Sequence, residues 1–177
     1  MLVAMAGLPG TGKSALAARL AATLGGVVIS KDVVRAALFP GAALDYSADQ
    51  DDLAMRAVFA AAVHLRRTRP ELPVFLDGRT FSKAAQVAAL AELGELVRVI
   101  ECVCPPEVAR ARIAADRAHP AANRTPELHD RSRASAEPLT VPRLTLDTAA
   151  QTLDECEQRA RAYLKGEPAS RPPSGGG

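Results

Sequence analysis

Apolar residues within positions 1–165 form short continuous runs that alternate with longer segments of helical periodicity. The continuous runs predict strands at 2–6, 27–29, 73–76, 96–103 and 144–147. Between them, apolar residues recur at the spacing of one helix face, as Leu16, Leu20 and Leu24 do. Helices are predicted at 13–24, 49–67, 82–93, 127–136 and 152–164. Two further helices are predicted, one that follows the second strand and ends at 38, and one that begins at 105.

This alternation predicts one α/β domain built on a parallel sheet. Strands that are apolar throughout are typical of sheets covered on both faces, and right-handed crossover helices supply the cover. A chain of 177 residues suffices for one such domain with a full core and is short for two. The domain is assigned to residues 1–165. Residues 166–177 are rich in Pro, Ser and Gly and are predicted to form a disordered tail.

Two finer expectations concern the helices predicted at 49–67 and 82–93. In the helix at 49–67, the residues expected to face the core are Leu53, Val58, Ala61 and Ala62, and Asp51 and Asp52 are expected to face solvent. Ser82 is expected to cap the following helix, because a serine hydroxyl can accept a hydrogen bond from a first-turn amide.

Composition and charge narrow the classes of function. The net charge is +2 and aromatic residues make up 3%, which argues against non-specific nucleic-acid binding on a base-stacking surface. The three cysteines have neither zinc-ligand spacing nor a C-x-x-C pair, and they are expected to be reduced core residues. The apolar start at 2–6 is too short to span a bilayer. A cytoplasmic protein without a membrane partner is therefore expected.

A glycine-rich segment directly follows the first predicted strand and opens the first predicted helix. It matches the phosphate-binding pattern G-x-x-x-x-G-K-[ST] with Gly7, Leu8, Pro9, Gly10, Thr11, Gly12, Lys13 and Ser14. Glycines let the backbone amides turn toward a phosphate, and the helix N-terminus favours the same anion. Lys13 is expected to reach the β- and γ-phosphates, and the Ser14 hydroxyl to bind Mg²⁺. A chance glycine-rich turn is disfavoured because Lys13 is one of only four lysines, so ATP and magnesium binding is predicted.

Asp32 and Arg35 form a second group of candidates just past the second strand. The carboxyl ends of parallel strands face the ligand crevice, so Asp32 is expected on the same rim as the glycine-rich loop. There it can accept a proton from a substrate hydroxyl that attacks the γ-phosphate, while Arg35 can hold an anionic group. The spacing alone leaves an equal alternative, in which Asp32 caps the helix and Arg35 is solvated.

The two motifs GLPGTGKS and SKDVVR together resemble those of small P-loop kinases. This group includes polynucleotide 5′-kinases, the zeta-toxin group and antibiotic phosphotransferases of the chloramphenicol type, and gluconate-kinase-like enzymes share the scaffold. The resemblance implies an adenylate-kinase-like, three-layer α/β fold with a five-stranded parallel sheet in the order 2-3-1-4-5 and a short helical lid at about 117–136. It also implies that Asp32 is the general base and Arg35 a phosphate clamp.

The resemblance extends to Asp77 at the end of the third strand, where P-loop proteins carry a second acidic residue that holds Mg²⁺ through water. Similar kinases often read Asp-x-Thr-Phe here, whereas this chain has Asp77-Gly78-Arg79-Thr80-Phe81. The additional residue leaves two directions open for Arg79, toward a substrate or toward solvent.

Arginines around the predicted lid are the remaining candidates. In similar kinases, lid arginines close over the nucleotide and stabilise the transferring phosphate, and Arg112 and Arg117 match these positions best. Lesser candidates are Arg110, Arg124 and Arg131. His119 and His129 are left out of the site, because lid polarity explains them and phosphoryl transfer rarely needs an imidazole.

These residues predict an ATP-dependent kinase that transfers the γ-phosphate to a hydroxyl group. A small hydroxylated acceptor fits a compact domain best. A polynucleotide 5′ end is the alternative acceptor, which suits Asp32 and Arg35 but not the weak net charge. A different class of function, an ATP-binding or ATP-hydrolysing switch without kinase activity, would not require Asp32 to be free.

Overall fold

A computed structural model describes residues 1–93, 96–116, 121 and 123–166. Its strands are β1 (Leu2–Ala6), β2 (Val27–Ser30), β3 (Val74–Asp77), β4 (Val97–Val103) and β5 (Leu144–Asp147). They form one parallel sheet in the order β2-β3-β1-β4-β5. The predicted fold class and strand order are confirmed.

The helices follow the strands in the predicted alternation. They are α1 (Lys13–Leu24), α2 (Lys31–Leu38), α3 (Ala48–Thr68), α4 (Ala84–Ala91), α5 (Pro106–Ala115), α6 (Pro126–Ala134) and α7 (Leu153–Leu164), with a short 3₁₀ turn at Gly41–Ala43. In the described part of the chain, no helix combines the length and the apolar character that crossing a membrane would require.

Two hydrophobic cores lie on opposite faces of the sheet. Successive side chains of a strand point to opposite faces, so Val3 and Met5 pack with α1 and α7, whereas Leu2, Ala4 and Ala6 pack with α3 and α4. The fully buried β1 is thus the centre of a three-layer domain. Its carboxyl end, and those of β2 and β3, open on one edge of the sheet, where the candidate residues follow.

Two of the three cysteines, Cys102 and Cys156, are core residues as predicted, and Cys104 is not. Cys102 and Cys156 are buried, Cys104 is half-buried, and all three are free thiols. Burial raises the pKa of the Cys102 thiol to about 12, so this side chain is an unreactive hydrophobe at neutral pH.

The predicted orientation of α3 is wrong at Leu53 and Asp51. Leu53 is 43% exposed, and the buried face of the helix consists of Gln50, Ala54, Met55, Val58 and Ala62. The small alanines allow close packing against the sheet, and Gln50 is accommodated because its amide donates to the Ala43 carbonyl (2.7 Å). Asp51 faces a cleft instead of open solvent, because basic side chains from neighbouring elements bind its carboxylate. Val58 and Ala62 lie in the core as predicted, whereas Ala61 is exposed and its prediction is wrong.

The predicted cap of α4 is also wrong. The helix begins at Ala84, and the Ser82 hydroxyl lies 2.8 Å from the Thr80 hydroxyl. The Ala84 amide donates instead to the carboxylate of Glu137 (2.7 Å). A side chain distant in sequence therefore satisfies this helix end, which no local capping signal reveals.

Part of the predicted lid and nearly all of the predicted tail lie outside the described residues. The lid prediction at 117–136 includes residues 117–120 and 122, which are not described, and α6 occupies most of the remainder. The tail prediction for 166–177 is described only at Gly166. Both assignments stay predictions.

Candidate active site

The glycine-rich loop forms a cradle between β1 and α1. Gly7, Gly10 and Gly12 have φ values of 126°, 84° and 88°, a region that favours glycine. A Cβ atom at Gly7 would lie 2.2 Å from the Cys102 carbonyl oxygen, and one at Gly10 would lie 2.6 Å from the Ala109 carbonyl oxygen. The loop is thus pressed against the end of β4 and against α5, and only glycine fits. The N-terminus of α1 has no side-chain cap and no acidic residue in its first turn, which suits an incoming phosphate.

Lys13 is buried at the base of this cradle. Its Nζ donates to the Leu8 carbonyl (2.8 Å). Desolvation by burial lowers the pKa of Lys13, with the positive charge of Arg124 acting in the same direction and the Asp77 carboxylate opposing it. A phosphate group bound in the cradle would supply the negative charge that this buried ammonium lacks.

Asp77 and Ser14 fit the proposed magnesium site. Asp77 ends β3 and is buried, and its Oδ1 has no hydrogen-bond partner among the described residues. A buried carboxylate oxygen without a donor is costly unless a cation or water completes it. Ser14 lies in the first turn of α1 and lines the cleft above the cradle. The donor set of hydroxyl and carboxylate oxygens is the type that Mg²⁺ prefers.

Asp32 lines the same cleft from the first turn of α2. Its Oδ1 accepts a hydrogen bond from Arg35 Nη2 (2.9 Å) and lies 3.4 Å from Lys31 Nζ. The helix cap is Ser30, whose hydroxyl accepts from the Val33 amide. The alternative in which Asp32 caps this helix is therefore wrong, and its carboxylate is held toward the cleft by two cations.

Arg35 and Arg79 line the same cleft as Asp32. Arg35 is 4% exposed; its Nη1 donates to Asp51 Oδ1 (3.2 Å), and its guanidinium carbon lies 4.7 Å from the centre of the Tyr46 ring. Arg79 Nη2 donates to Asp52 Oδ1 (2.7 Å) and lines the cleft. Of the two directions left open for Arg79, the structure has the one toward the cleft.

Lys31, Asp51 and Tyr46 line the cleft but were missed by the sequence reasoning. Lys31 offered one signal, since lysine is rare in this chain. Tyr46 has a φ of 57°, a backbone strain that only the structure reveals and that occurs often at functional sites. Asp51 offered none, because its cationic partners come from other parts of the chain.

The lid arginines lie in different places. Arg112 donates to the hydroxyl (2.8 Å) and the carbonyl (2.7 Å) of Thr148, and the Thr148 hydroxyl also donates to the Thr11 carbonyl (3.0 Å). Arg112 therefore stabilises the glycine-rich loop through Thr148. Arg124 lines the cleft and pairs with Asp116 (2.6 Å). The other candidates are Arg110, which pairs with Asp130 on the surface, Arg131, which is exposed, and Arg117, which lies outside the described residues.

His129, which the sequence analysis leaves out of the site, contacts the glycine-rich loop. The side chain is 1% exposed, and its Nδ1 lies 2.8 Å from the Pro9 carbonyl oxygen. Because a carbonyl only accepts, Nδ1 is the donor, and it ties α6 to the glycine-rich loop. This bond positions the α6 wall of the cleft, which includes Leu128 and Ser132.

These elements enclose one continuous cleft of about 810 Å³. The glycine-rich loop, α2, the start of α3, the segment after β3, α4 and α6 all contribute to its walls. The volume lies within the range of about 300–1,000 Å³ that is typical of small-molecule sites. The cleft is therefore of the size of a small-molecule binding site.

The strand order, the glycine cradle and the buried lysine define a P-loop fold of the nucleotide-binding class. Comparison with known proteins places the chain further. A family profile described as AAA domain matches residues 2–139, which is more than half of the 177 residues. The chain belongs to this family. No curated protein matches it.

Solved structures of small P-loop kinases share the fold over nearly the whole chain. A putative kinase from Chloroflexus aurantiacus is 22% identical, with a TM-score of 0.68 and coverage of 92% of this chain and 97% of that chain. A gluconokinase from Sinorhizobium meliloti is 18% identical, with a TM-score of 0.69 and coverage of 93% and 91%. An APS kinase from Mycobacterium tuberculosis, solved with AMPPNP and APS, is 22% identical, with a TM-score of 0.67 and coverage of 93% and 96%. At these identities the likeness establishes the fold.

Proposed function

We propose that this protein is an ATP-dependent phosphotransferase that moves the γ-phosphate to a hydroxyl group of a small molecule. The observation that carries the proposal is that Lys13, in the glycine cradle, and Asp32, held by Arg35, line one cleft. A cradle alone would suit a nucleotide switch. A carboxylate that Arg35 orients in the same cleft suits the activation of an acceptor hydroxyl.

The cradle residues bind ATP in this proposal. Backbone amides of residues 7–14 and the N-terminus of α1 contact the β-phosphate, and the Lys13 ammonium contacts the β- and γ-phosphates. Ser14 and Asp77 would hold Mg²⁺, which neutralises charge on the phosphate oxygens when bound. Arg112 stabilises the nucleotide site through the Thr148 contact that braces the loop.

Asp32 is the general base of the transfer. Its carboxylate accepts the proton of the acceptor hydroxyl as that oxygen bonds to the γ-phosphorus, and the bond from phosphorus to the bridging oxygen breaks to release ADP. The hydrogen bond from Arg35 keeps the carboxylate in position. Arg35 and Arg79 also bind the acceptor, since both line its side of the cleft.

The acceptor screen is the direct test of this function. Purified protein with radiolabelled ATP and Mg²⁺ is incubated with sugars and their acids, aminoglycosides, nucleotide sugars and oligonucleotides with free 5′ ends. Label is expected to move to a small hydroxylated acceptor. The matched control is Lys13→Met, which should transfer none. Release of inorganic phosphate from ATP without label in any acceptor would contradict kinase function and support the switch.

The proposed lid leads to a second prediction. Arg124 carries a cleft-facing charge that ATP phosphates would attract, so we expect the backbone amides of residues 117–131 to be better protected from exchange when nucleotide is bound. Backbone hydrogen exchange in 117–131 is expected to slow on addition of ATP, Mg²⁺ and acceptor, whereas exchange in α7 should not change. Arg117→Ala and Arg124→Ala are expected to lower turnover more than ATP affinity, because their charge acts on the transferring phosphate. An exchange rate in 117–131 that does not change when nucleotide is added would contradict the lid prediction.

A further inference from the structure

Asp51 is the meeting point of three cationic side chains in the acceptor half of the cleft. Lys31 Nζ contacts Asp51 Oδ1, Arg35 Nη1 lies 3.2 Å from the same oxygen, and Arg79 Nη2 lies 3.5 Å from Oδ2. The three cations come from the start of α2, its middle and the segment after β3. One carboxylate on α3 therefore connects three separate parts of the acceptor site.

The charges of this group balance. Lys31 and Arg35 also contact Asp32, and Arg79 also contacts Asp52. Three cations thus face three carboxylates, and exposed Lys83 is a further cation at the rim. Lys31 and Arg35 are only 7% and 4% exposed, so the carboxylates offset the cost of burying their charge.

This balance disfavours an anionic acceptor. A carboxylate or phosphate group could reach Lys31 or Arg35 only by displacing Asp51 or by lying beside it, where the two like charges would repel each other. A neutral hydroxyl meets no such cost. It can donate to an Asp51 oxygen and accept from Arg79, because the Asp51 side chain is 24% exposed.

From these contacts we infer that Asp51 is a specificity-determining residue, which makes the acceptor site select uncharged polyhydroxylated molecules over their anionic counterparts. This inference rests on the proposed phosphotransferase function. It also accounts for Arg35, whose guanidinium is held by two carboxylates and by the Tyr46 ring and is not presented to an external anion.

Matched acceptor pairs test the inference by turnover. Each pair contains a neutral polyol or sugar and the corresponding acid, and kcat/KM is measured for both. Wild-type protein is expected to prefer the neutral member. Asp51→Asn preserves size but removes the charge, and should shift the ratio toward the acid by about tenfold or more. Asp52→Asn removes the charge from a contact of Arg79 that is more exposed than the contact with Asp51. This variant should shift the ratio less. A wild-type preference for acids, or an unchanged ratio in Asp51→Asn, would overturn the inference.

A binding measurement tests, without turnover, whether Asp51 disfavours anions in the cleft. The protein is saturated with AMPPNP and Mg²⁺ so that the phosphate cradle is filled, and inorganic sulfate is titrated by calorimetry. Asp51→Asn is expected to bind sulfate at least about tenfold more tightly than wild type, and thermal unfolding shows whether the variant remains folded. Equal sulfate affinity in a folded variant contradicts the role of Asp51. If the screen finds no acceptor at all, the phosphotransferase proposal fails while this comparison still reports on Asp51.

Discussion

Replacing Lys13 with alanine is expected to lower turnover by about a thousandfold, the scale of losing one well-placed charge on a transition state. Lys13 is the buried cation of the glycine cradle, and it is already desolvated before ATP arrives. A phosphate that binds there meets an ammonium with few competing charges, so the interaction strengthens as charge develops in transfer. Turnover and ATP affinity are measured for Lys13→Ala and for Lys165→Ala, an exposed lysine distant from the cleft. Equal losses in both variants would contradict the role of Lys13.

The thermal stability of a Lys13 variant shows whether a loss of activity comes from a loss of the fold. The Leu8 carbonyl, which accepts from Lys13, also accepts from the Thr11 hydroxyl (2.8 Å), so Lys13→Met leaves it with a donor. This variant is expected to unfold at the same temperature as wild type, or higher, without ATP. Because burial holds the pKa of Lys13 below its ordinary value of 10.5, the folded protein binds fewer protons than the unfolded chain between the two pKa values. Wild-type stability should therefore rise with pH in that interval, and Lys13→Met should lack this contribution.

Replacing Asp32 with asparagine is expected to slow phosphate transfer by about a hundredfold or more, the usual contribution of a general base. The amide keeps the size of the carboxylate and can still accept the hydrogen bond from Arg35, but it cannot take a proton from the acceptor. Affinity for ATP should remain near that of wild type, because Asp32 is proposed to act on the acceptor hydroxyl and not on the nucleotide. Pre-steady-state transfer and nucleotide titration measure the two effects.

A matched aspartate makes this result specific. Asp52 also lines the cleft and also pairs with an arginine, but its side chain is 56% exposed, against 13% for Asp32. Asp52→Asn is expected to slow transfer less than Asp32→Asn. Wild-type turnover in Asp32→Asn would reduce Asp32 to a favourable charge at the start of α2 and would favour the nucleotide switch.

The two variants also differ in where the defect should appear. Lys13→Ala is expected to weaken ATP binding and transfer together, whereas Asp32→Asn should affect transfer alone. A defect in ATP binding in both would mean that the two residues act as one nucleotide site. The separation of binding from transfer is thus the most direct kinetic test of a cleft with a nucleotide half and an acceptor half.

Features that depend on neighbours in sequence were predictable. The glycine cradle is one contiguous motif, and its conformation follows from three glycines and the start of a helix. The alternation of apolar runs with helical spacing predicted the element order, and the motif resemblance implied the strand order that the sheet has. Asp32 was found because parallel strands place their carboxyl ends on one edge.

Features that depend on the packing of distant segments were not predictable from the sequence. The orientation of α3 was misjudged at Leu53 because Leu53 is the more hydrophobic residue, yet its small neighbour Ala54 is the one buried against the sheet. The amide of Ala84 is satisfied by a carboxylate 53 positions away, and His129 bonds a carbonyl 120 positions away.

The sequence by itself therefore determined the fold and the phosphate cradle, since local conformation and hydrophobic periodicity encode both. Only the tertiary structure decided how the proposed acceptor half of the cleft is built. Asp51 meets Lys31 and Arg35 across separations of 20 and 16 positions, and Arg79 joins them from beyond β3. Charges must be buried together to be tolerated, and which charges meet depends on how the helices and the strand ends converge in space.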